Sequence, residues 1–100
     1  MANTYKSINM DAVGGAAQPP YQESFLSGSW VLNVDIYEIV IPKATHDKGT
    51  IISVQVFEKV VNDYIEVGTT IVVDTAGNLT LQVSTVPDLR FEGRVVIVGE

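Results

Sequence analysis

The residue types able to do chemistry are few in this chain, and they are scattered. His46 is the one histidine, and there is no cysteine. His46 precedes Asp47, and a His–Asp neighbour pair could serve proton transfer. Adjacent loop residues rarely orient each other as a dyad, however, and no serine or cysteine nucleophile presents itself. Two other readings of His46 stay open. It could be a solvated or turn-stabilising side chain, or it could face its own copies around a symmetry axis and respond to pH. Asp74 to Asn78 is acidic and polar, but it lacks the dense carboxylate spacing and closing glutamate of a calcium loop. With Gly77 able to take positive φ, this stretch reads better as a hairpin turn. Gly14-Gly15 leads into alanines and prolines rather than into a lysine-bearing helix start, so it is not a phosphate loop. The sequence therefore points to no catalytic residue, no metal and no cofactor, and the chain is expected not to be an enzyme.

The elements that would position such residues are strands. Leu79, Leu81 and Val83 alternate with Thr80 and Gln82, which is the period of a half-buried strand. Ile52, Val54 and Val56 alternate in the same way with Ser53 and Gln55. Trp30 to Ile41 is a longer run whose phase changes midway. Trp30, Leu32, Val34 and Ile36 share one parity, and Tyr37, Ile39 and Ile41 share the other. A one-residue slip flips every side chain, so a bulge, a sharp bend or two successive strands is expected near Asp35–Tyr37. Pro42 ends that run. Ala44 to Thr50 is a polar loop, and Asn62-Asp63 supplies turn chemistry. Tyr64–Val67 and Thr69–Asp74 form two short strands or one strand broken at Gly68. Thr85 to Leu89 is a loop. The last strand, Arg90 to Val98, places Phe91, Gly93, Val95 and Ile97 on one parity, while Val96 and Val98 suggest burial on both faces near its end. The expected fold is all-β: a small antiparallel β-sandwich or partly open barrel of about six to seven short strands.

Residues 1–25 differ from the rest. Gly14-Gly15 and Pro19-Pro20 oppose regular pairing, and the apolar residues are sparse but spaced. This stretch reads as a flexible or extended N-terminal arm, with residues 26–100 as the β-sandwich domain. It is either a loose leader or a segment that orders on a partner, inserting its apolar side chains one at a time. On the second reading the partner-binding residues are Tyr5, Ile8, Met10, Val13, Tyr21 and Phe25, with Trp30 as an anchor at the boundary.

Charge narrows the partners. Six basic residues stand against twelve acidic ones, for a net charge of −6, and none of the six lies in a cluster. Nucleic-acid binding needs a basic patch, and anionic lipid repels an acidic surface, so neither is expected as a partner. No run approaches the roughly 20 apolar residues of a membrane-spanning helix, and the N-terminus lacks the pattern of a signal peptide. A sheet built from so few residues often gains from oligomerisation.

The stretch from Thr45 to Ile97 resembles a small β module of tailed-bacteriophage virion proteins of the head-fibre, head-decoration and tail-fibre type. The order of elements carries the resemblance. His46-Asp47-Lys48-Gly49-Thr50 precedes Val54-Gln55-Val56-Phe57-Glu58. A turn and Tyr64 follow, and then the hairpin Asp74 to Asn78 leads into Leu79-Thr80-Leu81-Gln82-Val83. Pro87-Asp88-Leu89-Arg90-Phe91-Glu92-Gly93-Arg94-Val95-Val96-Ile97 closes the series. The resemblance implies a non-enzymatic virion protein that assembles as a homo-oligomer, a trimer in the family. Its partners would be other virion proteins, such as a major capsid protein or a fibre or neck protein. The alternative function is a receptor- or carbohydrate-binding module of a tail fibre, contacting its ligand through Ala44–Thr50 and Thr85–Leu89.

Overall fold

A computed structural model of the chain describes residues 19–99. They form two antiparallel four-stranded sheets packed face to face. Numbered along the chain, the strands are β1 (Tyr21–Phe25), β2 (Val31–Asn33), β3 (Ile36–Ile41), β4 (Ile52–Val60), β5 (Asp63–Glu66), β6 (Thr70–Val73), β7 (Leu79–Ser84) and β8 (Gly93–Gly99). One sheet has the order β1-β8-β4-β5 and the other β2-β3-β7-β6. The fold is thus a sandwich, with eight strands where six or seven were expected.

The additional strand is β1, and it moves the expected domain boundary. Tyr21 to Phe25 does not belong to an arm. It pairs with β8 in the register Tyr21↔Ile97 to Phe25↔Gly93. The pairing follows from alternation, because Tyr21, Glu23 and Phe25 share the face that β8 presents to the core. The phase change in Trp30–Ile41 resolves as two strands. β2 turns back onto β3 through Val34-Asp35, with Val31↔Glu38 and Asn33↔Ile36 opposite each other. Leu32 and Val34 lie at this hairpin's tip and are exposed, so of the parity set led by Trp30 only Trp30 is buried. Val34 and, in the β4–β5 turn, Val61 have φ of 60° and 57°. A β-branched residue in that region is strained by about 1–2 kcal/mol. The β2–β3 turn, Val34-Asp35, carries no glycine or asparagine to announce it, whereas the β4–β5 turn, Val61-Asn62, holds the asparagine that supplied its turn chemistry.

The core takes one parity from β1, β3, β4, β7 and β8, while every residue of β2, β5 and β6 is exposed. Ile39, Ile41, Leu79 and Leu81 face Phe25, Val56, Val95 and Ile97, and Trp30 closes the side. Burying each such side chain contributes about 1.5–3 kcal/mol. The C-terminal strand is buried on one face only, since Val98 is exposed and Val96 half-buried. Gly93 is required by a close approach: a Cβ there would run into the carbonyl oxygen of Phe57 on β4.

Candidate functional site

The strand directions place two clusters at opposite ends of the sandwich. β1 runs from its Tyr21 end, opposite Ile97, to its Phe25 end, opposite Gly93. At the Phe25 end three rings meet. Phe25 and Trp30 pack edge to face with centroids 5.5 Å apart, and Phe91 lies 5.5 Å from Phe25 and 5.4 Å from Trp30. Trp30 Nε1 donates to the Phe91 carbonyl at 2.9 Å, so the indole buries its polar group with a partner. Phe25 and Trp30 are each only 4% exposed. Both were expected to contact a partner, and the structure corrects this: inserting either ring elsewhere would empty the core. Tyr21 is half-buried, and its hydroxyl donates to the Glu23 carboxylate two residues along the same strand face. That hydrogen bond, burial and the Glu23 charge together raise the Tyr21 phenol to about 12. Tyr5, Ile8, Met10 and Val13 lie outside the described residues.

The other end is organised by His46. Pro42 ends β3 and opens a single helical turn, α1 (Lys43–His46). Asp47 closes the turn in the left-handed region, with φ of 52°, and its N–H donates to the Lys43 carbonyl at 2.7 Å. Aspartate tolerates that conformation better than most residues. The turn aims the His46 ring into the interior, where the residue is 2% exposed. Nδ1 accepts from the Lys48 N–H at 3.0 Å, and Nε2 lies 2.7 Å from the Gly77 carbonyl oxygen. Because Nδ1 accepts, the proton sits on Nε2 and is donated to Gly77. The ring thus cross-links the β3–β4 connection to the β6–β7 hairpin.

The hairpin is built to receive it. Asp74 Oδ1 accepts from the Ala76 and Asn78 N–H groups at 2.9 Å each, and Asp74 Oδ2 accepts from Asn78 Nδ2 at 3.0 Å. These bonds, the Asn78 side chain foremost, hold the Asp74 carboxyl below the usual aspartate range. Asn78 Oδ1 in turn accepts from the Lys43 N–H at 3.0 Å. Gly77 has φ of +90°, and a Cβ there would stand 2.6 Å from the Gly49 carbonyl oxygen. Finally, Lys48 Nζ donates to the Pro19 carbonyl at 2.6 Å, at the root of the N-terminal segment.

This arrangement assigns His46 a structural task. Both ring nitrogens are engaged by backbone groups, and among the described residues Asp47 makes no hydrogen bond to the ring. Of the readings left open, the turn-stabilising one is observed, although the ring is buried rather than solvated. The Asp74–Asn78 stretch is the hairpin turn that its glycine indicated. Among the described residues, no group of three or more histidine, cysteine or acidic side chains is placed to hold a metal ion.

Two aromatic–guanidinium pairs and a cleft lie at the surface of the described residues. Arg90 stands over Tyr37 at 4.3 Å and Arg94 over Tyr64 at 4.2 Å, so one face of each tyrosine is already covered. Asp88 pairs with Arg90 at 2.8 Å, which holds the Asp88 carboxyl below its usual range. An open cleft of about 410 Å³ lies between β1 and β3, lined by residues including Glu23, Phe25, Val31, Glu38 and Ile39. Its Glu38 carboxylate accepts from Gln82 Nε2 at 2.9 Å and Asn33 Nδ2 at 3.0 Å. Comparison with family models, with curated proteins and with solved structures finds no match to this chain.

The three-ring cluster and the His46 cross-link were not legible in the sequence. The partners are 61 residues apart for Trp30–Phe91 and 31 apart for His46–Gly77. No local pattern encodes contacts of that range. Gly77 was the one usable signal, and it spoke for a turn, not for a carbonyl presented to an imidazole.

Proposed function

We propose that this chain is a non-enzymatic structural protein of a tailed-phage particle. In this reading it is a head-fibre or capsid-decoration protein that attaches through residues 1–20 and displays the sandwich. The partner is a major capsid protein or a fibre or neck protein, and the chain acts as a homo-oligomer, three copies being what the resemblance implies. One observation carries the reading. The Pro19 carbonyl, where the described residues begin, accepts from Lys48 Nζ, and the sequence upstream holds Tyr5, Ile8, Met10 and Val13. The best apolar side chains of the sandwich are already spent on its own core, and its histidine is spent on a cross-link. The spaced apolar side chains of the upstream segment are what that segment would offer a partner.

The test removes residues 2–18 and leaves β1 intact, since cutting to Phe25 would strip an edge strand and a core ring. The truncated chain keeps its β-type circular dichroism and its buried Trp30 fluorescence, and it is lost from purified particles that retain the full chain. Full incorporation of the truncated chain would refute attachment through this segment. Absence of the full chain from particles would refute the virion reading itself.

A further inference from the structure

The four sheet edges are not alike. An edge strand offers unpaired N–H and C=O groups, and proteins usually blunt it with charge, shortness or proline. β1 carries Glu23, β5 carries Asp63 and Glu66, and β2 is three residues long. β6 is Thr-Ile-Val-Val, paired only with β7, and all four residues are exposed. It has no charge and no proline. Asp74, which follows it, is folded back into its own hairpin by the Ala76 and Asn78 hydrogen bonds.

We propose that β6 is a self-association edge, on which a second copy of this chain docks antiparallel across a two-fold axis. The register that keeps both faces continuous sets Ile71 of one copy opposite Ile71 of the other, and Thr70 opposite Val72. Ile71 and Val73 lie on the core-facing parity, opposite Leu81 and Leu79, yet remain 38% and 36% exposed. The second copy would cover them. Every opposed residue is β-branched, which suits cross-strand packing. Charge argues for a second copy over a basic peptide. A basic strand would need acids along the edge, and β6 has none. Two chains of net charge −6 can meet without a like-charge pair only where acids are missing. A pairing this short falls well short of the roughly 1,200 Å² of a standard interface, so the dimer is weak and reversible. A two-fold contact cannot close a trimer, and it does not use residues 1–18. It therefore stands or falls separately from the proposed function.

The test is sedimentation velocity on the full chain, from about 10 μM to about 1 mM and from about 50 to about 500 mM salt. A doubling of mass is expected, monomer to dimer, or trimer to hexamer where the three-copy assembly also forms, tightening several-fold at high salt as the repulsion between acidic chains is screened. The double substitution T70K/V72K, on the outward parity, raises the dissociation constant at least about tenfold with circular dichroism unchanged. In the unmodified chain, amide exchange at Thr70–Val73 slows as concentration rises, while that at β1 and β2 does not. A chain whose mass does not double over this range overturns the proposal. So does dimerisation that weakens with salt, survives T70K/V72K, or protects β1 or β2 in place of β6.

Discussion

Replacing His46 tests whether the ring is a structural cross-link. His46→Ala removes an acceptor from the Lys48 N–H and a donor from the Gly77 carbonyl, both at a residue 2% exposed. Each buried group left without a partner costs about 1–3 kcal/mol, so the two together cost about 2–6 kcal/mol. Water entering the emptied space recovers part of this, which places the expected loss near 3 kcal/mol. Against a total stability of about 5–15 kcal/mol, such a loss moves the denaturation midpoint clearly. The two ring nitrogens can be separated. Asparagine places its amide oxygen near the position of Nδ1, and glutamine reaches toward the position of Nε2. His46→Asn should keep the Lys48 contact and His46→Gln the Gly77 contact, each losing about half as much as alanine. Urea unfolding followed by fluorescence of Trp30, the one tryptophan, reads the effect from the far end of the sandwich. The reasoning is refuted if His46→Ala unfolds within about 0.5 kcal/mol of the parent, the range of an ordinary surface substitution.

Gly93→Ala forces β8 away from the Phe57 carbonyl and should destabilise the fold by at least about 1–3 kcal/mol, the usual cost of overpacking. A melting temperature equal to the parent's would show that this approach is not tight. Alkaline pH weakens the Tyr21–Glu23 contact. The folded phenol is pushed up to about 12 from the ordinary tyrosine value of 10.0, so the native state holds the proton more tightly. That stabilisation is fully present below pH 10.0 and is lost as the pH rises through about 12. Tyr21→Phe should flatten the decline over this window, and a parent and variant that fall in parallel would exclude Tyr21 as its source.

The sequence by itself determined the fold class and most strand faces. β7 occupies Leu79–Ser84 as its alternation required, and Ile39, Ile41, Val95 and Ile97 are buried on the parity that periodicity gave them. Period-two patterning is a local property, so a local reading recovers it. Tertiary structure decided everything that depends on which strand lies beside which. Tyr21–Phe25 looks like the end of an arm until β8 lies next to it. Phe25 and Trp30 look like anchors for a partner until Phe91 arrives from the other end of the domain. The β2–β3 hairpin turns at Val34-Asp35, where tertiary pairing overrides a residue type that disfavours positive φ. His46 stood between a catalytic and a structural reading for the same reason. An imidazole's task is fixed by the atoms facing its two nitrogens, and one of those, the Gly77 carbonyl, is brought to it only when the sheets close.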